Sequence, residues 1–181
     1  MRPAMTDKQA LRATLRAARD RSPGGAILVP QELRAGLAAG VIVTSYVPIG
    51  SEADPAPLVG AALAAGCTLA MPHVVSRSEP LRFLAWSPGD ALVPGPFGLS
   101  QPALTADEVD PAIILTPLVG FDRSGNRLGQ GAGYYDRAFA RYPRAWRVGV
   151  ALAVQEVDSV PTDAWDVPLH AIVTEQEWIT P

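Results

Sequence analysis

Phe121-Asp122-Arg123-Ser124-Gly125-Asn126-Arg127-Leu128-Gly129-Gln130-Gly131-Ala132-Gly133-Tyr134-Tyr135-Asp136-Arg137 is the stretch whose reading decides the fold. It follows an apolar run, Ala112-Ile113-Ile114-Leu115, with the length and composition of a buried strand. It leads into Tyr135 to Arg141, which can form a helix. Gly129, Gly131 and Gly133 alternate through it, with Arg127 just upstream. A strand, a glycine-rich loop and a helix N-terminus together make a place for phosphate. Glycine lets backbone N–H groups approach an anion closely, and the helix dipole favours negative charge there. The order Gly-x-Gly-x-Gly is neither the dinucleotide fingerprint nor the Gly-Lys-Ser/Thr phosphate loop. On these residues alone, a phosphate cradle and an ordinary strand-to-helix turn both stay open. Arg127 has the chemistry to pair with phosphate oxygens in bidentate fashion. Asp136 is either a ligand for Mg²⁺ carried by a nucleotide or a first-turn carboxylate favoured by the dipole.

Outward from this loop, strands and helices alternate. Thr6 to Arg21 reads as a helix, with Thr6 and Gln9 at capping-box spacing. Leu11, Leu15 and Ala18 make its apolar stripe, and Lys8, Arg12, Arg16 and Arg19 a basic stripe beside it. A second helix is expected over Gln31 to Ala39. Val41 to Val47 is β-branched and reads as a strand. Pro48 to Asp54 is a loop, and Pro55 opens a helix to about Ala65. Further strands are expected at Cys67 to Met71, at Leu81 to Trp86 as a more exposed one, at Ala112 to Leu118 in the centre, at Arg147 to Ala153 and at Ala171 to Thr174. Ser87 to Ala106, rich in Pro and Gly, reads as a long irregular connection. The alternation predicts an α/β, three-layer Rossmann-like fold with a mainly parallel sheet and helices on both faces. In such sheets ligands bind beyond the carboxyl ends of the strands. The loops at 48–54, 72–80, 119–133 and 161–169 leave such ends.

The 181 residues suit one domain spanning 1–181. A hydrophobic content of 48% with 18% charged residues is that of a folded globular chain. The net charge of -3 argues against broad nucleic-acid binding, while local arginines leave an acidic small ligand open. Cys67 is the only cysteine, which rules out an intramolecular disulfide and fits a buried thiol. The N-terminal stretch lacks a signal-peptide core, and no apolar run approaches the ~20 residues of a spanning helix. The expectation is a cytoplasmic monomer or homodimer acting on small molecules, with no membrane or nucleic-acid partner. Met1 and Met5 are both possible starts. Neither histidine stands in a triad-like context. His73, after Met71-Pro72, reads either as facing the site or as an ordinary loop residue.

Residues 121–137 resemble the signature of the 5-formyltetrahydrofolate cyclo-ligases, also called 5,10-methenyltetrahydrofolate synthetases. Lys8-x-x-Leu11-Arg12 resembles the family's N-terminal helix. Tyr46-Val47-Pro48 followed by Glu52-Ala53-Asp54 resembles its first strand and loop. Met71-Pro72, the connection Gly95 to Pro102, Val160-Pro161, Asp166-Val167-Pro168 and Ile172-Val173-Thr174-Glu175 also match in order.

The resemblance implies an ATP-dependent ligase of folate metabolism. It puts Lys8 and Arg12 on ATP, and Arg127, Gly129, Gln130, Gly131, Ala132, Gly133 and Tyr134 around the phosphates, with Tyr135 adjoining. It makes Asp136 and Asp166 Mg²⁺ ligands. Glu52 then contacts the folate, in an environment completed by Val47, Tyr134 and Tyr135, and Arg127, Tyr134 and Asp136 carry the chemistry. Asp136→Ala is expected to abolish activity and leave the fold intact. The chain departs from the pattern at Gln130, where a basic residue is common, at Ala132, at Trp165 beside Asp166, and at His170. These departures leave a second reading open, a noncatalytic nucleotide- or folate-binding homologue. Turnover of 5-formyltetrahydrofolate with ATP and Mg²⁺ separates the two.

Overall fold

The computed structural model describes residues 4–181, with side chains described from Asp7 onward. Four α-helices and eleven strands follow in chain order among these residues. They are α1 (Ala4–Arg21), α2 (Gln31–Gly36), β1 (Ile42–Thr44), α3 (Ala56–Ala64), β2 (Thr68–His73), β3 (Arg82–Ala85), β4 (Leu92–Pro94) and β5 (Ser100–Pro102), then β6 (Ile113–Pro117), β7 (Gly120–Phe121), β8 (Arg127–Leu128), α4 (Tyr134–Arg141), β9 (Trp146–Val150), β10 (Ala171–Val173) and β11 (Trp178–Ile179).

Seven strands form the main sheet in the order β11-β10-β9-β6-β1-β2-β3. The five inner strands are parallel, and the two edges, β3 and β11, pair antiparallel. The register sets Val43 opposite Leu69 on one side and opposite Ile113 on the other. Side chains alternate faces along each strand. Val43, Leu69, Ile113, Leu115, Val148 and Val150 pack with Leu33 of α2 and with Leu58 and Ala62 of α3. Ile114, Phe83 and Ile172 pack on the opposite face with Ala138 and Phe139 of α4. Helices thus cover both faces, as the alternation of elements requires.

From β1 the chain crosses to β2 on one side, and from β6 to β9 on the other. The order therefore reverses between β1 and β6, and the crevice of a doubly wound sheet opens beyond their carboxyl ends. Helix α1 belongs to neither layer. Leu15 packs with Val119, Leu128 and Val160, all in segments that follow the carboxyl ends of β6 and β9, so α1 spans the carboxyl edge of the sheet.

Several elements differ from their sequence outline. Helix α1 already begins at Ala4, so Thr6 sits within its first turn and not at the cap; its side chain and Met1 lie outside the described residues. Helix α2 stops at Gly36, where Leu37 turns extended. The strand outlined over Val41 to Val47 pairs only over Ile42–Thr44, after which the chain bends into the site. Strand β3 is not exposed: Phe83 and Leu84 are buried. The 87–106 connection contains a hairpin, β4 with β5. His73 lies inside β2, buried, with Nδ1 at 2.8 Å from the Pro102 carbonyl. It faces that hairpin and is a structural residue. Gln101 also holds the hairpin down, accepting from Val74 N at 2.9 Å and donating to its carbonyl at 3.2 Å.

Candidate active site

The glycine-rich segment does not leave the central strand directly. A small hairpin, β7 with β8, intervenes. Its turn is organised by Asp122, a buried carboxylate that accepts from Ser124 N, Asn126 N, Asn126 Nδ2 and Val160 N. The Phe-Asp-x-x-Gly half of the signature is therefore scaffold. The cradle is Gly129 to Gly133, ending at Gly133 as a left-handed N-cap of α4 (φ 71°). Gly131 has φ 113°, a conformation that a side chain resists.

Helix α1 brings its basic stripe to this loop. Arg12 Nε donates to Gly129 O at 2.7 Å, and its guanidinium lies against Gly131. Arg16 Nη2 donates to Gln130 Oε1. Lys8 Nζ contacts Asp163 at 2.6 Å and Asp166 at 2.9 Å. Arg19, buried, donates to Ser51 Oγ at 3.0 Å. One helix face thus touches segments following β1, β8 and β9. Burial disfavours the charge on Lys8, but its hydrogen bonds to the two carboxylates outweigh that and hold its pKa above the ordinary value. Burial, and then the neighbouring Arg16, lower the pKa of Arg12.

The loop after β1 is fixed from within. Tyr46 Oη donates to Ala53 O at 2.5 Å, and Glu52 Oε2 accepts from Ile49 N at 2.9 Å. Glu52 Oε1 accepts from Gln130 Nε2 at 3.1 Å. The Gln130 amide therefore joins the glycine loop to the carboxylate expected on the folate. Val47 is half-buried in the same loop. Tyr135 lies beside Phe139, with ring centroids 6.1 Å apart. Burial, and then the charge of Glu52, raise its pKa, so its hydroxyl stays protonated at neutral pH. Tyr134 Oη reaches Ser76 O at 3.4 Å, in the loop after β2.

Arg127 and Asp136 form an ion pair, Nη2 to Oδ1, at 2.9 Å. The Arg127 side chain is only 5% exposed. Its guanidinium lies 5.2 Å from the Phe139 ring and 5.9 Å from Tyr135, and a Cβ on Gly129 would come within 2.8 Å of its Nη1. It sits beneath the loop as a strut. The Asp136 Oδ1 atom also accepts from Val167 N at 3.1 Å, so Oδ2 carries neither contact. The expectation that Asp136→Ala spares the fold conflicts with this pairing, since the substitution strands a buried cation.

Asp166 Oδ2 takes Lys8 Nζ and the Asp163 N–H, the latter at 2.7 Å. Among the described residues no three His, Cys, Asp or Glu side chains gather as a metal cage. Asp163 and Asp166 nevertheless already converge on a cation, the Lys8 ammonium. Hard oxygen donors from one or two carboxylates, completed by phosphate oxygens, are the usual Mg²⁺ environment, so the residues fit that ion. His170 stands elsewhere. Its Nδ1 accepts from Arg147 N at 3.0 Å, and burial, and then the Arg147 charge, lower its pKa. It caps a strand start as a neutral ring.

An open pocket of about 440 Å³ lies beside the cradle. The loop and α4 line it with Gly131 to Gly133, Asp136, Arg137 and Ala140, and the C-terminal loop lines it with Trp165 and Val167. The tip of the β4–β5 hairpin presents Phe97 at 58% exposure in a left-handed conformation (φ 60°), under the Arg77 guanidinium. Sequence reading missed Asp163, Ser51 and the direct part of Arg16. The basic stripe pointed to Arg16; nothing local pointed to the others.

A model of the 5-formyltetrahydrofolate cyclo-ligase family matches residues 4–175. The chain is 34% identical over 147 residues to the 5-formyltetrahydrofolate cyclo-ligase of Escherichia coli strain K12, covering 75% of this chain and 80% of that one. It is 40% identical over 99 residues to the Haemophilus influenzae protein of the same name, covering 51% of this chain and about half, 53%, of that relative. Among solved structures, the Aquifex aeolicus 5,10-methenyltetrahydrofolate synthetase superposes with TM-score 0.71 at 30% identity, over 96% of this chain and 92% of that one. A synthetase of that name from Mycoplasma pneumoniae, at 24% identity and TM-score 0.69, shares the fold over 94% of this chain and 99% of that one.

Proposed function

The chain belongs to the 5-formyltetrahydrofolate cyclo-ligase family, and from that premise we infer that it converts 5-formyltetrahydrofolate to 5,10-methenyltetrahydrofolate, with ATP as co-substrate. One observation carries the reading to these residues. The basic stripe of α1, the glycine cradle and the Glu52 loop converge at the point where strand order reverses. We take residues 1–181 to act as one domain, in the cytoplasm.

A formamide is a poor electrophile because its nitrogen donates into the carbonyl. Attack of the formyl oxygen on the γ-phosphorus expels ADP and turns that oxygen into a leaving group. The other folate nitrogen then attacks the same carbon, closing the five-membered ring. That nitrogen's proton is lost, the C–O bond breaks and inorganic phosphate departs. The protein's part is positioning and charge neutralisation, as in phosphoryl transfer generally.

The backbone of Gly129 to Gly133 cradles phosphates, with Gln130 and Ala132 contributing main-chain donors. Lys8 and Arg12 supply charge. Arg127 holds Asp136 in place from below, and Tyr134 and Tyr135 close the pterin side with Val47. Glu52 accepts hydrogen bonds from the folate. Asp136 and Asp166 would hold a Mg²⁺ ion, which would neutralise phosphate charge when bound.

The test is incubation with 5-formyltetrahydrofolate, ATP and Mg²⁺ while following the absorbance of the methenyl product. ATP-dependent growth of that absorbance is expected. No product at micromolar enzyme sinks the reading, and ATP binding without turnover favours the noncatalytic homologue.

A further inference from the structure

We propose that Trp165 stacks on the adenine base of the nucleotide co-substrate, with the base lying in the groove between the C-terminal loop and α4. This rests on the reading of the cradle as the ATP phosphate site. Trp165 is 71% exposed, more than any other large hydrophobic side chain among the described residues. Isolated exposed hydrophobics are ordinary, so exposure alone argues nothing. Its place does. Trp165 is one of two residues by which the C-terminal loop lines the 440 Å³ pocket, and the facing lining begins with Gly131 to Gly133.

The other tryptophans are committed to packing. Trp146 and Trp178 meet edge to face at 5.6 Å, and Trp86 packs against the same core. Trp165 is instead carried on a pinned segment. Asp166 is held by Lys8 and by the Asp163 N–H, and Val167 N is held by Asp136. The exposed ring therefore stands on a backbone fixed on its C-terminal side.

The rest of the groove suits a flat heterocycle. Ala132, Ala140 and Val167 are small and apolar, which leaves room beside the indole. With phosphates on Gly129 to Gly133 at the start of α4, the sugar and base continue along the outer face of α4, past Arg137 and Ala140. That path leads to Trp165. A base on an aromatic ring is stabilised by stacking and by removal of both apolar faces from water.

The test is equilibrium titration calorimetry without folate, with ATP and with inorganic tripolyphosphate as separate ligands. Trp165→Ala should weaken ATP binding by on the order of tenfold, while tripolyphosphate binds as to the wild type. Trp165→Phe should recover most of the loss. In steady-state assays the KM for ATP of Trp165→Ala should rise by about the same factor as its ATP affinity falls. ATP should quench the wild-type tryptophan fluorescence, and Trp165→Phe should remove most of that change. Unaltered ATP binding in Trp165→Ala overturns the stacking role alone. So does an equal loss for ATP and tripolyphosphate. Failure of the wild type to bind ATP overturns the nucleotide assignment and this inference together.

Discussion

Asp136→Asn isolates one charge in a buried pair. The amide keeps the size of the carboxylate and keeps an oxygen for Val167 N, so what changes is the partner of Arg127. The Arg127 side chain is 5% exposed and that of Asp136 18%, so water replaces the lost partner poorly. Removing one member of a buried pair costs about 3–5 kcal/mol. Two features set the value at the low end. The Nη2 atom is close to Oδ1 without hydrogen-bond alignment, and the guanidinium keeps its contact with the Phe139 ring. A loss of about 3 kcal/mol follows, or roughly 6–12 °C in Tm for a chain of this size. The assay is urea and thermal unfolding of wild type, Asp136→Asn, Arg127→Met and the double variant. Arg127→Met in the Asp136→Asn background should return about 2 kcal/mol, because no buried charge is then left unpaired. Catalysis should not return with it, since Asp136 is also the expected Mg²⁺ ligand. A single variant that melts within about a degree of wild type, together with additive double-variant energies, refutes the strut.

Two further outcomes follow from the same contacts. Gln130→Lys replaces the amide between Arg16 and Glu52 with an ammonium that pairs with Glu52 and repels Arg16; KM for the folate should rise a few-fold and KM for ATP should fall, and initial rates that move neither constant exclude the coupling. The pKa of Lys8 is raised in the folded chain, so its stabilisation is fully present below the ordinary value of 10.5 and is lost as pH rises through the higher folded value; unfolding titrations should show an alkaline decline that Lys8→Met lacks.

The parallel core was legible because hydrophobic runs such as Ile113-Ile114-Leu115 are buried on both faces and leave a local signal. Edges and hairpins were not. Strand β3 alternates like an exposed strand, yet Phe83 is sealed by Tyr142, with ring centroids 5.6 Å apart, a contact that no window of sequence contains. The hairpin in the 87–106 connection depends on Gln101 reaching the backbone of Val74, 27 residues away. In the site, the cradle and the basic stripe of α1 were visible as spacing. Asp163 was not, because its partner Lys8 lies 155 residues upstream. Arg127 shows the reverse limit. An arginine beside a glycine loop suggests a phosphate ligand, and only the packing of Phe139 and Gly129 around it reveals a buried strut.

The cations of α1 differ in how readily they can meet a polyanion. Arg12 and Arg16 touch uncharged oxygens, the Gly129 carbonyl and the Gln130 amide. Exchanging these for phosphate oxygens replaces a neutral acceptor with a charged one, which strengthens the bond. Arg19 is buried and already holds Ser51, which ties α1 to the β1 loop rather than to a ligand. Lys8 differs from all three, because two carboxylates hold it. Moving its ammonium to a phosphate leaves Asp163 and Asp166 facing each other without a cation, and a divalent ion at those oxygens is the replacement that restores the balance. On the proposed reading, Arg12→Ala is expected to weaken phosphate-chain binding with or without a divalent ion, whereas Lys8→Ala is expected to weaken it only when the metal accompanies the nucleotide.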